Sequence, residues 1–248
     1  MKKFFAAIRF LTVLPIPSAW GGGENQAENL AGSPIYFPVV GILLGGLIAL
    51  ITWAVIQVMP ALPAAVIAVL LLAAISGALH LDGLADSADG FFSSRKPERI
   101  LEIMRDSQIG TMGALVLFGA LFLKVAGLSV LSDIQMVGAV FLMPVAGRSA
   151  LSISMALLPY ARGENGLGTV FYQRQHWQTV PAAILILTGA GGLTFAEAGL
   201  AVAAAVLLAI LLVARYIRKQ IGGATGDTLG ATCEVAETIA PLVLCAAL

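Results

Sequence analysis

Residues 62–90 read LPAAVIAVLLLAAISGALHLDGLADSADG, an apolar run that ends directly in three regularly spaced aspartates. The apolar part, Leu62–Leu79, is close to the roughly 20 residues that a helix needs to cross a bilayer. Asp82, Asp86 and Asp89 follow at steps of four and three, so a helix would place all three carboxylates on one face. Like charges on one face repel each other, and the stretch therefore predicts a membrane helix followed by an acidic helix that holds a cation.

Oxygen ligands alone suit a hard cation, so the acidic face favours Mg²⁺ or Mn²⁺ over Zn²⁺. A solvent-exposed acidic helix would carry the same pattern without a metal. Only 11% of the residues are charged, whereas soluble domains have about 25%, so three aspartates in so short a stretch favour the metal site. We assign Asp82, Asp86 and Asp89 as metal ligands, with Mg²⁺ or Mn²⁺ as the expected ion.

The composition of the chain is that of an integral membrane protein. Its 248 residues are 59% hydrophobic, with a mean hydropathy of +0.94 and no net charge. We predict that residues 1–248 form one domain, an all-α, polytopic membrane helix bundle. Zero net charge provides no field that would attract nucleic acid, so we expect no such partner. Cys233 and Cys245 have neither disulfide nor metal-ligand spacing.

Apolar runs of spanning length recur along the chain. The six predicted spans are 34–59, 62–79, 111–131, 134–158, 177–193 and 195–217. The last run, 239–248, has only ten residues, which leaves a seventh spanning helix open. Arg9, Pro15 and Pro17 interrupt the N-terminal segment 1–33, and we predict that it lies at the membrane interface as an amphipathic segment instead of being a cleaved signal peptide.

Basic residues fall in alternate connections between the predicted spans, whereas 60–61, 132–133 and 194 contain no Lys or Arg. The basic residues precede the first span, lie in the connections after spans two and four, or stand at the end of span six and just beyond it: Lys2, Lys3, Arg9, Arg95, Lys96, Arg99, Arg105, Arg162, Arg174, Arg215, Arg218 and Lys219. The positive-inside rule then predicts a cytoplasmic N-terminus. It also places the functional segments 81–110, 159–176 and 218–238 on the cytoplasmic side, where an active site built from them would face the cytosol.

Two of these segments carry candidate phosphate ligands. The loop with Arg95 and Arg99 is explained either by contact with anionic membrane lipid or by phosphate capture. Arg105, Gly110 and Gly113 surround the start of the third span, where a helix N-terminus attracts anions and glycine permits close approach. The glycine-rich turn 162–168 is either a lid or a simple connection.

Charges within and near the spans supply further candidates. Lys124 and Arg148 lie inside predicted spans, where a charge costs about 2.5–3.5 kcal/mol. We assign no role to Lys124, whereas Arg148 either binds phosphate or forms a structural ion pair. Gly226 precedes a second acidic series, Asp227, Glu234 and Glu237, which could face the first. His80 stands beside the first series, as a structural hydrogen-bonding group or as a general base.

Several motifs resemble the cobalamin synthase family, the adenosylcobinamide-GDP ribazoletransferases. The matching stretches are 10–17, 80–90, 105–113, 147–148 and 222–231. The resemblance implies a Mg²⁺-dependent transferase of the bacterial or archaeal cytoplasmic membrane. It would join adenosylcobinamide-GDP to α-ribazole or α-ribazole 5′-phosphate, giving adenosylcobalamin or its 5′-phosphate and GMP, late in coenzyme B12 assembly.

CDP-alcohol phosphotransferases also place spaced aspartates on membrane helices, but Asp86 stands here where their motif has arginine, so individual aspartate duties are not carried over. For the reaction we assign Asp227 as the base, with Arg105 and Arg148 on the phosphate oxygens and His80 beside them. The substrate- and cofactor-binding assignments are Arg95, Arg99, Gly110, Gly113 and Gly226. A secondary transporter and a scaffold protein are the rival functions, and a homo-oligomer is left open.

Overall fold

The computed structural model describes residues 1–17, 20, 26–162, 167–173 and 176–248, and these form a helical bundle without named strands. The predicted all-α fold is confirmed. The helices are α1 (Lys2–Leu11), α2 (Gln26–Ala31), α3 (Phe37–Ile56), α4 (Ala61–Ile75), α5 (Leu79–Phe91), α6 (Pro97–Ile103), α7 (Thr111–Ser129), α8 (Asp133–Leu157), α9 (Thr179–Ile221) and α10 (Gly226–Ala247). Short 3₁₀ turns cover Pro34–Tyr36 and Leu167–Gln173.

Five of the described helices are long and apolar enough to cross a membrane, which supports a multi-pass membrane protein. They are α3 with its preceding turn, α7, α8, α9 and α10. The pair α4 and α5 passes the same test only together, as one bent span. The short C-terminal run, which left the seventh span open, belongs to the 22-residue helix α10.

Helix α9 folds back on itself near its middle. Its 43 residues would extend about 65 Å if straight, roughly twice the apolar thickness of a bilayer. Phe195 and Ala196 leave the helical backbone region, with φ +49° at Ala196. A Cβ placed on Gly191 would lie 2.5 Å from the carbonyl oxygen of Gly199, whereas residues eight apart in a straight helix are about 12 Å apart. The chain therefore reverses here, between the predicted spans 177–193 and 195–217.

Helix α8 lies at the centre of the bundle, with most of its side chains buried. Helix α3 packs against it through Gly41 and Gly45. A Cβ on Gly41 would lie 2.6 Å from the carbonyl oxygen of Pro144, and one on Gly45 would overlap the carbonyl oxygen of Phe141. Small residues four apart allow this backbone approach, which is the usual packing mode between membrane helices.

The acidic motif does not continue the second predicted span but forms its own helix. Gly77 and Ala78 adopt left-handed backbone conformations, with φ +60° and +55°, and they turn α5 by 90° from α4. The Val13 N–H donates to the carbonyl oxygen of Ile75 at 2.8 Å, which ties the N-terminal segment to this turn. The acidic helix therefore follows the apolar helix, as predicted, but across a 90° bend that the sequence pattern did not indicate.

The connection after α8 is joined to the connection before α10. Ala161 N–H donates to the Ala224 carbonyl at 2.8 Å, and Ala224 N–H donates to the Pro159 carbonyl at 2.7 Å. Thr225 then caps α10, because its hydroxyl accepts from the Thr228 N–H at 3.2 Å. Together these bonds place the residues that follow α8 beside the first turn of α10.

Candidate active site

A cavity of about 260 Å³ opens between α5, the C-terminal end of α8 and the start of α10. Its charged and polar walls are His80 and Asp82 from α5, Arg162 from the connection, and Asp227 from α10. Apolar walls come from residues such as Phe10, Leu151, Met155 and Phe171. A mainly apolar pocket with a few converging polar groups is the usual form of a small-molecule site.

Asp227 and Arg162 form an ion pair on the cavity wall. Arg162 Nη2 lies 2.6 Å from Asp227 Oδ2, and both side chains are largely buried. The Thr225 hydroxyl also donates to Asp227 Oδ2, at 3.3 Å. Arg162 Nε is buried without a hydrogen-bond partner among the described residues. The guanidinium thus has a free donor in addition to the one that it gives to Asp227.

The packing of α5 on α10 brings this pair close to the acidic face. A Cβ on Gly83 would lie 2.7 Å from the carbonyl oxygen of Asp227, and one on Gly230 would lie 3.2 Å from the Cα of His80. Only glycine fits at these two contacts without displacing a backbone. The acidic helix α5 therefore packs against the helix that carries the second acidic series, as predicted. Of the three described acids in that series, only Asp227 lies at this contact.

The three aspartates of α5 lie on the helix as predicted, although α5 itself, at 13 residues, is too short to span a bilayer. The Asp82 side chain is exposed and lines the cavity, whereas the Asp86 side chain is half-buried. Burial, together with the negative charges of Asp82, Asp227 and Asp89, raises the pKa of Asp86 to about 6. Accumulated negative charge of this kind is relieved by a bound cation.

Asp89 points to the start of α7 and caps that helix. Its carboxylate accepts the Gly110 N–H at 2.7 Å and the Gly113 N–H at 2.8 Å. A Cβ on either glycine would overlap the carboxylate. The two glycines, which we predicted as phosphate ligands, thus use their N–H groups on Asp89 in this structure, and their binding role stays a prediction.

The metal prediction can be tested against the arrangement of the acids. Among the described residues, no three His, Cys, Asp or Glu side chains are grouped closely enough to hold an ion by themselves. Mg²⁺ commonly uses one or two carboxylates and completes its shell with water and substrate phosphate. Asp82 and Asp86 lie one helical turn apart and form no ion pair within the described ranges, so they fit that mode.

Two basic and two acidic side chains are buried in the bundle behind the cavity. Lys124 Nζ lies 2.5 Å from Glu234 Oε2 and 2.9 Å from Glu237 Oε2, and Arg148 pairs with Glu237. All four side chains are almost fully inaccessible. Arg148 thus forms a structural ion pair, one of its two predicted roles, and phosphate binding by Arg148 stays a prediction. No role was predicted for Lys124, because its partners lie more than 100 positions away in the chain.

His80 lines the cavity with a buried side chain. Neither of its ring nitrogens has a hydrogen-bond partner among the described residues. A buried polar group usually has a partner, and an unpaired one often marks a ligand or water site. His80 is therefore available to a ligand, and its role as a base stays a prediction.

The remaining predicted ligands divide between the cavity and exposed loops. Gly226 lines the cavity, with open space where a Cβ would stand. Arg95 and Arg105 are exposed, and Arg99 pairs with Glu102 at 2.7 Å on the surface. None of these three arginines is among the described residues that line the cavity. Residues 163–166 of the glycine-rich turn and Arg174 lie outside the described residues.

The fold and the cavity define a helical membrane protein with a pocket lined by two aspartates, a histidine and an arginine. The chain matches the model of the family described as CobS, cobalamin-5-phosphate synthase, over residues 3–245. It is 38% identical over 232 residues to an adenosylcobinamide-GDP ribazoletransferase of Desulforamulus reducens, covering 94% of this chain and 91% of the relative. The chain belongs to the cobalamin-5-phosphate synthase family, which confirms the resemblance found in the motifs. No solved structure matches it.

Proposed function

We propose that the chain is an adenosylcobinamide-GDP ribazoletransferase of cobalamin biosynthesis. Its substrates are adenosylcobinamide-GDP and α-ribazole or α-ribazole 5′-phosphate, and its products are adenosylcobalamin, or its 5′-phosphate, and GMP. Family membership over residues 3–245 supports the reaction. The observation that carries the site is the convergence of His80, Asp82, Arg162 and Asp227 on one cavity.

The chemistry is a displacement on phosphorus. The ribose 3′-hydroxyl oxygen attacks the phosphorus that carries cobinamide, and the bond from this phosphorus to the bridging oxygen of GMP breaks. GMP leaves with the electron pair, and the hydroxyl proton goes to a carboxylate. Asp227 is our candidate for that base, since it lies in the cavity at the first turn of α10.

Arg162 is well placed to bind the phosphates and to control Asp227. Its guanidinium holds the Asp227 carboxylate at 2.6 Å, while Nε has no hydrogen-bond partner among the described residues. A phosphate oxygen that accepts from Arg162 competes with Asp227 for the same donors. Substrate binding would then free Asp227 to accept the proton of the ribose hydroxyl.

Asp82 and Asp86 would hold Mg²⁺, because they are adjacent on α5 and form no ion pair among the described residues. When bound, the ion supplies positive charge that neutralises the pyrophosphate and the departing GMP. Asp89, with both oxygens on the N-terminus of α7, contributes mainly by fixing α5 against α7. We retain Asp89 as a weaker candidate ligand.

The predicted arginines have different roles, depending on how far they lie from the cavity. Arg148 is buried against Glu237, so we assign it to positioning α10 instead of direct phosphate contact. Arg99 is exposed on α6, and Arg95 and Arg105 are exposed just before and just after it, where the three would attract the anionic substrates. The basic residues of these connections also support a cytoplasm-facing cavity in the inner membrane.

The proposal is tested with purified protein in detergent, by measuring GMP release at saturating Mg²⁺. Asp82→Asn and Asp227→Asn are expected to lose activity at least about 100-fold, the usual contribution of a base or of charge stabilisation. Asp106→Asn is the matched control, because Asp106 lies on an exposed turn outside the cavity. Activity of Asp82→Asn near that of the wild type would remove Asp82 from the metal site.

A Mg²⁺ titration separates the three aspartates of α5. The metal assignment predicts that Asp82→Asn and Asp86→Asn require more Mg²⁺ for half-maximal activity. Asp89→Asn is expected to lower thermal stability with little change in the Mg²⁺ requirement, since a helix cap contributes about 0.5–2 kcal/mol. Corrinoid uptake into liposomes without GMP release would instead favour a transporter.

A further inference from the structure

A second recess, about 510 Å³ in volume, lies between the C-terminal end of α8 and the last turns of α9. Its walls are Leu157 and Leu158 on one side and Leu211 and Ala214 on the other. Its other lining residues are basic and belong to the last two turns of α9. We call this recess the basic groove, and the transferase chemistry makes no use of it.

The basic groove changes from apolar to cationic along one face of α9. Leu211, Arg215 and Arg218 follow each other at steps of four and three, so they lie on the same face of the helix. From Leu211 to Arg218 this face rises about 10 Å, at 1.5 Å per residue. That distance spans the change from acyl chain to headgroup at the edge of a bilayer. Leu211 is 56% exposed, as expected of a side chain that faces lipid.

Among the described residues, the cations of the basic groove have no anionic partner. Arg215, Arg218 and Lys219 are all exposed, and none of them joins an ion pair within the described residues. Two of them stand in the last turn of α9, where the helix dipole favours positive charge. The dipole explains cations here, but it does not explain why they border an apolar recess.

We propose that the basic groove binds one anionic phospholipid. The acyl chain lies against Leu157, Leu158 and Leu211, and the headgroup phosphate accepts hydrogen bonds from the cations of α9. A free phosphate would use the cations and leave the apolar walls uncovered, which is why the geometry points to a lipid. This site stands independently of the proposed function, because it shares no lining residue with the cavity.

An occupied groove would still influence the cavity through the chain. Leu158 is followed by Pro159, whose carbonyl accepts the Ala224 N–H at 2.7 Å, and Arg162 and Asp227 stand just beyond these two residues. A lipid that bridges α8 and α9 would therefore restrain the connection that carries Arg162 and the connection that leads into α10, where Asp227 stands. The site also gives the membrane a specific contact with the catalytic end of the bundle.

The test is native mass spectrometry of the detergent-purified full chain with added phosphatidylglycerol or phosphatidylcholine. The wild type is expected to retain one phosphatidylglycerol and no phosphatidylcholine under the same conditions. Replacing all three cations (Arg215→Gln, Arg218→Gln and Lys219→Gln) is expected to weaken binding of phosphatidylglycerol roughly 100-fold. The single variant Arg218→Gln, expected to weaken binding roughly fivefold, reports on the site if the triple variant folds poorly.

Two controls distinguish a built lipid site from general surface charge. The variant with Arg95→Gln, Lys96→Gln and Arg99→Gln loses the same charge from an exposed surface at the start of α6 and is expected to retain the lipid. Equal loss in both triple variants would overturn the proposal in favour of nonspecific attraction. Binding of glycerol 3-phosphate as tight as that of phosphatidylglycerol would overturn it in favour of a free phosphate.

Discussion

Arg162 and Asp227 neutralise each other on the cavity wall, although 65 positions separate them in the chain. Hydrogen bonds to charged groups contribute about 1.5–3 kcal/mol, so loss of a phosphate-binding arginine is expected to lower kcat/KM roughly 10- to 100-fold. Arg162→Gln should therefore bind GDP and adenosylcobinamide-GDP more weakly, with a raised KM. Isothermal titration with GDP and steady-state GMP release measure the two effects.

The lysine variant separates charge from geometry at the same position. Arg162→Lys keeps the positive charge but loses the planar fork that binds a phosphate and a carboxylate together. It is expected to recover part of the KM and little of kcat. If Arg162→Gln retained both constants of the wild type, Arg162 would be only a structural partner of Asp227.

The buried charges behind the cavity make a different prediction, about stability. Lys124 compensates Glu234 at 2.5 Å in a site from which water is excluded. Removing one partner of a buried ion pair costs about 3–5 kcal/mol, because the remaining charge stays buried. Lys124→Met is therefore expected to unfold at a much lower temperature in detergent. Adding Glu234→Gln to it removes the uncompensated charge and should restore part of the loss.

The exposed pair Arg99–Glu102 provides the matched control for the buried one. Its side chains are 64% and 60% exposed, and such surface pairs contribute about 0–1 kcal/mol. Arg99→Met should leave the unfolding temperature nearly unchanged. Equal unfolding temperatures for Lys124→Met and Arg99→Met would contradict the assignment of the buried cluster as a structural network.

At the scale of the element, periodicity predicted the helices but not their partners. The spacing of Asp82, Asp86 and Asp89 was sufficient to predict an acidic helix face, and α5 carries it. Nothing in that spacing indicated that Asp89 caps α7, because the cap depends on where Gly110 and Gly113 arrive in space. Local sequence determines which face a side chain occupies, whereas packing determines what the face meets.

The packing of α3 on α8 makes a prediction that two neighbouring glycines can test. A Cβ on Gly45 would overlap the Phe141 carbonyl of α8, while a Cβ on Gly46 meets nothing within 4 Å. Gly45→Ala is expected to lower the free energy of unfolding by about 1–3 kcal/mol through overpacking. Gly46→Ala should leave it unchanged or slightly raised, because alanine favours the helix. Thermal unfolding of both variants in detergent compares them, and equal values would show that the close packing contributes nothing.

At the scale of the whole molecule, hydropathy predicted the number of apolar segments better than their directions. The boundary that it placed near Thr194 coincides with the reversal of α9 at Phe195 and Ala196. The bend between α4 and α5 was missed, because Gly77 and Ala78 sit in a run whose hydropathy barely changes. The run 239–248 looked too short to span the membrane, because the residues before it carry charges and hydroxyls. In the structure those residues are the first part of α10, and their polar groups pair with other helices or with the backbone of α10.

The reversal of α9 predicts which parts of the chain share a side of the membrane. The two halves of α9, before and after its reversal, are each about 25 Å or more long at 1.5 Å per residue, so each can cross the membrane. Both ends of α9 should therefore lie on one side of the membrane and the residues at its reversal on the other. Single cysteines at Gln178, Glu197 and Lys219, all exposed, report this in a Cys245→Ser background, where Cys233 is buried. A membrane-impermeant maleimide should label positions 178 and 219 only in inverted inner-membrane vesicles, if the positive-inside orientation is correct. It should label position 197 only in right-side-out vesicles, and labelling of all three from one side would mean that α9 enters the membrane without crossing it.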